Sequence, residues 1–190
     1  GHDLEASAYA TYKEQPHIAC ILGTGSNSCY FDGKNCIEKT PALGFILGDE
    51  ASGAYFGKML VTEFLYKNLP PEIEQDFIQT YSLNLTDIID KVYRKPYPNV
   101  FLASLTPFIH KYRAESLFQD ILQNGMSTFL KNHVLCYPEH QNVSVSFVGS
   151  IAYYFQDALI QSAENLQIRM GEISQKPIDG LVKYHRNHIL

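Results

Sequence analysis

Basic residues are in short supply in this 190-residue sequence: 15 lysines and arginines face 20 aspartates and glutamates, for a formal net charge of -5. With no basic stripe to neutralise phosphates, nucleic acid is not expected as a partner. Long apolar runs are missing as well. None approaches the ~20 residues needed to span a bilayer, and the amino terminus shows no basic-then-apolar leader pattern, so no membrane is expected either. Cysteine is sparse, and Cys20, Cys29, Cys36 and Cys136 show neither C-x-x-C nor histidine-paired spacing, which argues against zinc. Reduced thiols and a cytoplasmic location are the expectation. Without a secretory signal, the sequons Asn84-Leu85-Thr86 and Asn142-Val143-Ser144 read as chance matches. Repeats, low-complexity tracts and dividing linkers are absent.

What is present describes one globular core. Hydrophobic residues make up 45% and charged residues 18%, which is ordinary for a folded domain. Residues 2–12 read as a short helix, 17–22 as a buried strand, 28–32 as its hairpin partner and 36–39 as a third strand. Apolar residues at Phe56, Met59, Leu60, Phe64 and Leu65 give a helical period over 48–69, with Asp49 and Glu50 in its first turn. Residues 71–137 read as wholly helical. A strand at 143–148, a helix at 152–166, a short strand at 167–173 and a last helix near 177–185 follow. That order predicts an α/β domain with a mixed sheet flanked by helices and a helical insertion at about 71–137.

Three glycine-bearing stretches and one acid interrupt this pattern. In Gly23-Thr24-Gly25-Ser26 two glycines remove Cβ and permit positive φ, so that backbone N–H groups converge on an anion. An unliganded hairpin turn fits the same residues. Neither a G-x-x-x-x-G-K-[ST] loop nor a dinucleotide fingerprint is present, since a strand and not a helix follows. Four glycines between residues 44 and 57 surround Asp49 and Glu50. The acids suit a helix cap, whereas the glycines suit close approach of a ligand or another backbone. At Gly149-Ser150 a strand ends before a helix, a place for a ligand or a plain β–α turn. Asp3 stands alone, as a surface group, a cap or a functional carboxylate.

Taken in order, Asp3, "CILGTGSNSCYFDG", "LGFILGDEASG" and "VSFVGSIAYYF" resemble the N-acetylglucosamine kinase group of BadF/BadG/BcrA/BcrD-type ATPases, of the actin, sugar kinase and heat-shock chaperone superfamily. The resemblance runs to the closing "GEISQKPIDGLVKYH". It implies a ribonuclease H-like (actin-like ATPase) fold and ATP with Mg2+ as cofactors. It places ATP phosphates on Gly23, Thr24, Gly25 and Ser26, adenosine on Gly149 and Ser150, and the sugar on Asn27, Gly44 and Asp49. Asp49 would also order Mg2+ through water, and Asp3 would take the proton from the attacking sugar hydroxyl. The expected partners are a small sugar, an amino-terminal lobe and a second copy in a homodimer.

Two departures stand out. The family motif usually reads GDEGSG, and here Ala51 replaces the middle glycine, which is expected to narrow the room beside the ligand. Nothing resembling the family's amino-terminal lobe precedes Gly1, so the chain is expected to be the carboxy-terminal lobe of a two-lobed kinase, with Gly1-His2 native or an expression scar. Two other activities compete with a sugar kinase. One is an ATPase that energises a partner reductase or dehydratase, and the other a nucleotide-binding module without catalysis.

Overall fold

The computed structural model describes residues 3–188, and Gly1-His2 lie outside them. Helix α1 (Asp3–Ala10) is followed by strands β1 (His17–Leu22), β2 (Ser26–Phe31) and β3 (Cys36–Ile37). A short helix α2 (Gly44–Leu47) leads to α3 (Gly53–Leu65). The insertion comprises α4 (Pro71–Tyr81), α5 (Leu85–Tyr93), α6 (Pro98–Ala103), α7 (Thr106–Lys111) and α8 (Ser116–His133). The chain then makes β4 (Ser144–Val148), α9 (Ser150–Tyr154), α10 (Gln156–Asn165), β5 (Met170–Ser174) and α11 (Ile178–His188).

The five strands form one mixed sheet in the order β3-β2-β1-β4-β5. β1 pairs antiparallel with β2 and parallel with β4, whereas β2–β3 is antiparallel and β4–β5 parallel. This is the mixed α/β sheet of the ribonuclease H-like, actin-like ATPase fold. Side chains alternate across strands, so β1 feeds two cores. Ile18, Cys20 and Leu22 join the large core with α3 and α8, while Ala19 packs with Leu4, Ala8, Cys29 and Phe31 under α1.

The boundaries differ from the sequence pattern in five places. β2 begins at Ser26, so the β1–β2 connection is only three residues long and Ser26 and Asn27 are strand residues. β3 has two residues, its Asp32 turn being closed by bonds from the amides of Lys34 and Asn35. The helix expected at 152–166 breaks at Phe155, and the strand expected from 167 begins at Met170. The largest shift concerns 48–52. α3 starts at Gly53 with Ser52 as N-cap, its hydroxyl accepting from the Tyr55 amide, and has no acid in its first turn. Asp49 and Ala51 instead take left-handed φ values of 54° and 57°, a conformation that no helix continues.

Four insertion helices have local start signals. Pro71, Pro98 and Pro107 sit at helix starts, where the missing N–H costs nothing. Asn84 and Asp87 form a reciprocal capping box on α5. The close approach that the glycines of 44–57 suggested is to a backbone: a Cβ at Gly57 would lie 1.9 Å from the Leu102 carbonyl oxygen of α6.

Candidate active site

The loop closing β1 and β2 and the start of α3 meet the end of β4 at the carboxyl ends of the two central strands, β1 and β4. The Gly23 amide donates to the Gly25 carbonyl at 3.0 Å, closing the hairpin. Two amides from the first turn of α3 reach back to it, Gly53 to the Gly23 carbonyl at 2.7 Å and Ala54 to the Thr24 carbonyl at 3.1 Å. Gly149, at φ +127°, lies so close that a Cβ would sit 2.2 Å from the Leu22 carbonyl oxygen. Only glycine meets both demands. The hairpin and the Gly149-Ser150 turn, separate in sequence, are therefore one junction.

Asp49 completes it. Its carboxylate accepts from the Ser26 amide at 3.2 Å, and the Ser26 hydroxyl donates to the Glu50 carbonyl at 2.8 Å. Gly25 lies close by: a Cβ there would be 3.1 Å from a carboxylate oxygen of Asp49, which would have to shift by a few tenths of an ångström. Positive φ, expected at the hairpin glycines, occurs at Gly33, Gly44 and Gly149 instead. Of the hairpin amides, that of Ser26 is taken by Asp49 and that of Gly23 by the Gly25 carbonyl.

Two cavities flank the junction. A cleft of about 270 Å³ opens between Ser26, Thr40, Asp49, Glu50, Asn132 and His133. A second, of about 350 Å³, lies beside Ser150 and is lined by Thr106, Pro107, His110, Tyr154 and Phe155. The His110 ring packs edge-on against Tyr154 and Phe155, at 5.5 and 5.7 Å. Burial, and then the charge of Arg113, lower its pKa, which favours the uncharged ring. Ala51 lines neither cavity. Its methyl is fully buried in the large core, so it does not narrow the cleft as the GDEASG departure suggested.

The other expected site residues are spread more widely. Asn27 lies on β2 with its side chain bonded to Glu38 and to the Ser28 amide. By strand alternation it shares the α1 face with Cys29 and Phe31, opposite to Ser26. Asp3 is exposed at the first turn of α1. Thr11, just past the end of α1, bonds His17 at the start of β1 at 2.9 Å. The helix thus runs back along β1, and Asp3 stands at its hairpin end. Gly44, at φ +67°, has no atom within 4 Å of a Cβ position and starts α2.

Glu50, Asn132 and His133, and the wall from Thr106 to His110, carry no local signal beyond a histidine on the apolar face of α8, four residues after Phe129. No family model matches the chain, and no curated protein does. Among solved structures, one from Porphyromonas gingivalis described as a "putative N-acetylglucosamine kinase" is 38% identical over 97% of this chain, with a TM-score of 0.93. The chain belongs to the N-acetylglucosamine kinase-like family. It spans 65% of that protein's length. A structure from Chromobacterium violaceum with the same description shares the fold, with a TM-score of 0.75 at 17% identity, and here the chain spans 62% of its length.

Proposed function

We propose that the chain is the carboxy-terminal lobe of an ATP-dependent sugar kinase of the N-acetylglucosamine type, which moves the γ-phosphoryl group of ATP to a sugar hydroxyl. The observation that carries this is the junction of hairpin, α3 and Gly149, where a glycine-bearing backbone and the Asp49 carboxylate bonded to it border one open cleft. Such a reaction asks a protein mainly for positioning and charge neutralisation. The Thr24 and Gly25 amides hold phosphate oxygens. Gly149 and Ser150 receive the adenosine, with Thr106, Pro107, His110 and Tyr154 walling its base. Mg2+ supplies neutralising charge when bound, and Asp49 suits it through water, since its carboxylate already sits against the hairpin. Asp49 also faces the cleft, where it accepts a bond from a sugar hydroxyl, with Gly44 assigned to the same substrate, whereas Asn27, on the α1 face with Asp3, is assigned to the sugar from the other side of the sheet. Asp3 orients the attacking hydroxyl and takes its proton late in the transfer.

The test uses the full-length protein, Mg-ATP and a panel of amino sugars, with Asp3→Asn alongside. Phosphorylation of an amino sugar is expected. The variant should lose at least about 100-fold in kcat, roughly 2.7 kcal/mol of barrier, and keep its ATP affinity. A loss of only a few-fold would return Asp3 to a helix-end surface role.

A further inference from the structure

The loop that presents Asp49 is held from a distant helix. Glu50 spends both carboxylate oxygens on the end of α8: the Asn132 side-chain amide donates to one at 3.2 Å, and His133 Nε2 meets the other at 3.3 Å. The ring of His133 is fixed in turn. It stacks on Phe129 at 4.8 Å with 9° between the planes, and its side chain is only 6% exposed. The last turn of α8 is tied to the sheet, where the Ser28 hydroxyl donates to the His133 carbonyl at 2.6 Å and the Tyr137 hydroxyl to the Ser28 carbonyl at 3.0 Å.

Two features make this more than another contact. Glu50 lies between two left-handed residues, Asp49 and Ala51. L-residues in that region persist only where their surroundings over-determine them. The carboxylate also sits at a helix carboxyl end, where the dipole opposes negative charge, so the donors of Asn132 and His133 have to offset that opposition.

We propose that His133 is a positioning residue. Through Glu50, and with Asn132, it holds the left-handed turn that points the Asp49 carboxylate at the Ser26 amide and into the cleft, and so sets affinity for the acceptor sugar. This rests on the kinase reading above, and it makes the end of the helical insertion part of acceptor recognition.

The test takes His133→Phe, which keeps a ring to stack on Phe129 but removes the donor, Glu50→Gln as the conservative variant, and the exposed Asn132→Ala in case the buried change impairs folding. All are made in the full-length protein. Expected are an acceptor KM raised about tenfold for His133→Phe with the KM for ATP changed less than about threefold, and an intermediate acceptor KM for Glu50→Gln. Hydrogen exchange at the amides of residues 49–52 should quicken about tenfold in His133→Phe, and less in Asn132→Ala. Unchanged acceptor KM, with or without faster exchange, overturns the proposal. A wild-type enzyme that phosphorylates no sugar sinks the kinase reading instead, and loop exchange alone then judges the brace, with an unchanged rate in both variants counting against it.

Discussion

The two sides of the sheet are built on different scales. Under α1 and α11 the buried apolar cluster is Leu4, Ala8, Ala19, Cys29 and Phe31, bordered by the rings of Tyr9, Tyr12 and Tyr184 and by the buried His17. On the other side α3, the insertion and α10 pack a core that takes in Phe56, Phe77, Phe118, Phe129 and Phe147. Both sides carry candidate chemistry, Asp3 and Asn27 on the first, Asp49 and Glu50 on the second. Their supports differ accordingly. The α1 side leans on a few polar and aromatic contacts and should respond to protonation, whereas the α3 side, apart from the polar brace on Glu50, rests on apolar burial, and its stability should tolerate small changes.

Gly149 belongs to the seam between the two sides, and substitution there should cost most. Gly149→Ala places a Cβ against the Leu22 carbonyl in a backbone region reserved for glycine. A loss of about 3 kcal/mol or more is expected, read as a lowered urea midpoint. A loss below about 1 kcal/mol would mean that hairpin and β4 are not rigidly apposed.

Acid should separate the two sides. Burial lowers the pKa of His17 to about 4 from its usual 6.5. Between those values the unfolded chain binds the extra proton, so stability rises with pH there and is lost as pH falls from about 6.5 toward 4. The contribution is about 2–3 kcal/mol. Urea unfolding at pH 7 and pH 4.5 should show it, and His17→Gln should flatten the slope. An unchanged slope in that variant would assign the acid loss to other groups.

The smallest effect is expected on the tolerant side. Ala51→Gly restores the motif usual in the family and relieves a left-handed alanine at φ 57°. That relief, about 1–2 kcal/mol, is offset by the lost buried methyl and the extra freedom of the unfolded chain, about 0.8 kcal/mol and 0.5–1 kcal/mol. Melting temperature should move by only a few degrees. A large drop would mean that this methyl matters far more to the core than its size suggests.

Periodicity carried most of the fold. β1 matches its expected bounds, His17–Leu22, because its apolar run and the glycines after it agree. The insertion was legible through prolines and apolar spacing. The loop at 48–52 was not, because Asp49 and Glu50 before an apolar period look like a first helical turn. Their real roles depend on Ser26, Asn132 and His133, 23 to 83 positions away. The hairpin glycines were legible as a place of close approach. Only the three-dimensional packing reveals that Gly25 lies close to Asp49 and that the Ser26 amide is already committed.

The two bonds from the start of α3 reach further than the hairpin they close. The Gly23 carbonyl shares a peptide group with the Thr24 N–H, and the Thr24 carbonyl shares one with the Gly25 N–H. When Gly53 and Ala54 donate to those carbonyls, resonance in each planar amide draws electron density toward oxygen and leaves the opposite hydrogen more acidic. Such cooperative polarisation strengthens a bond by about 10–30%. The positive end of α3 is therefore conducted, through two peptide groups, to the Thr24 and Gly25 amides, where it would act on a bound anion that it never touches.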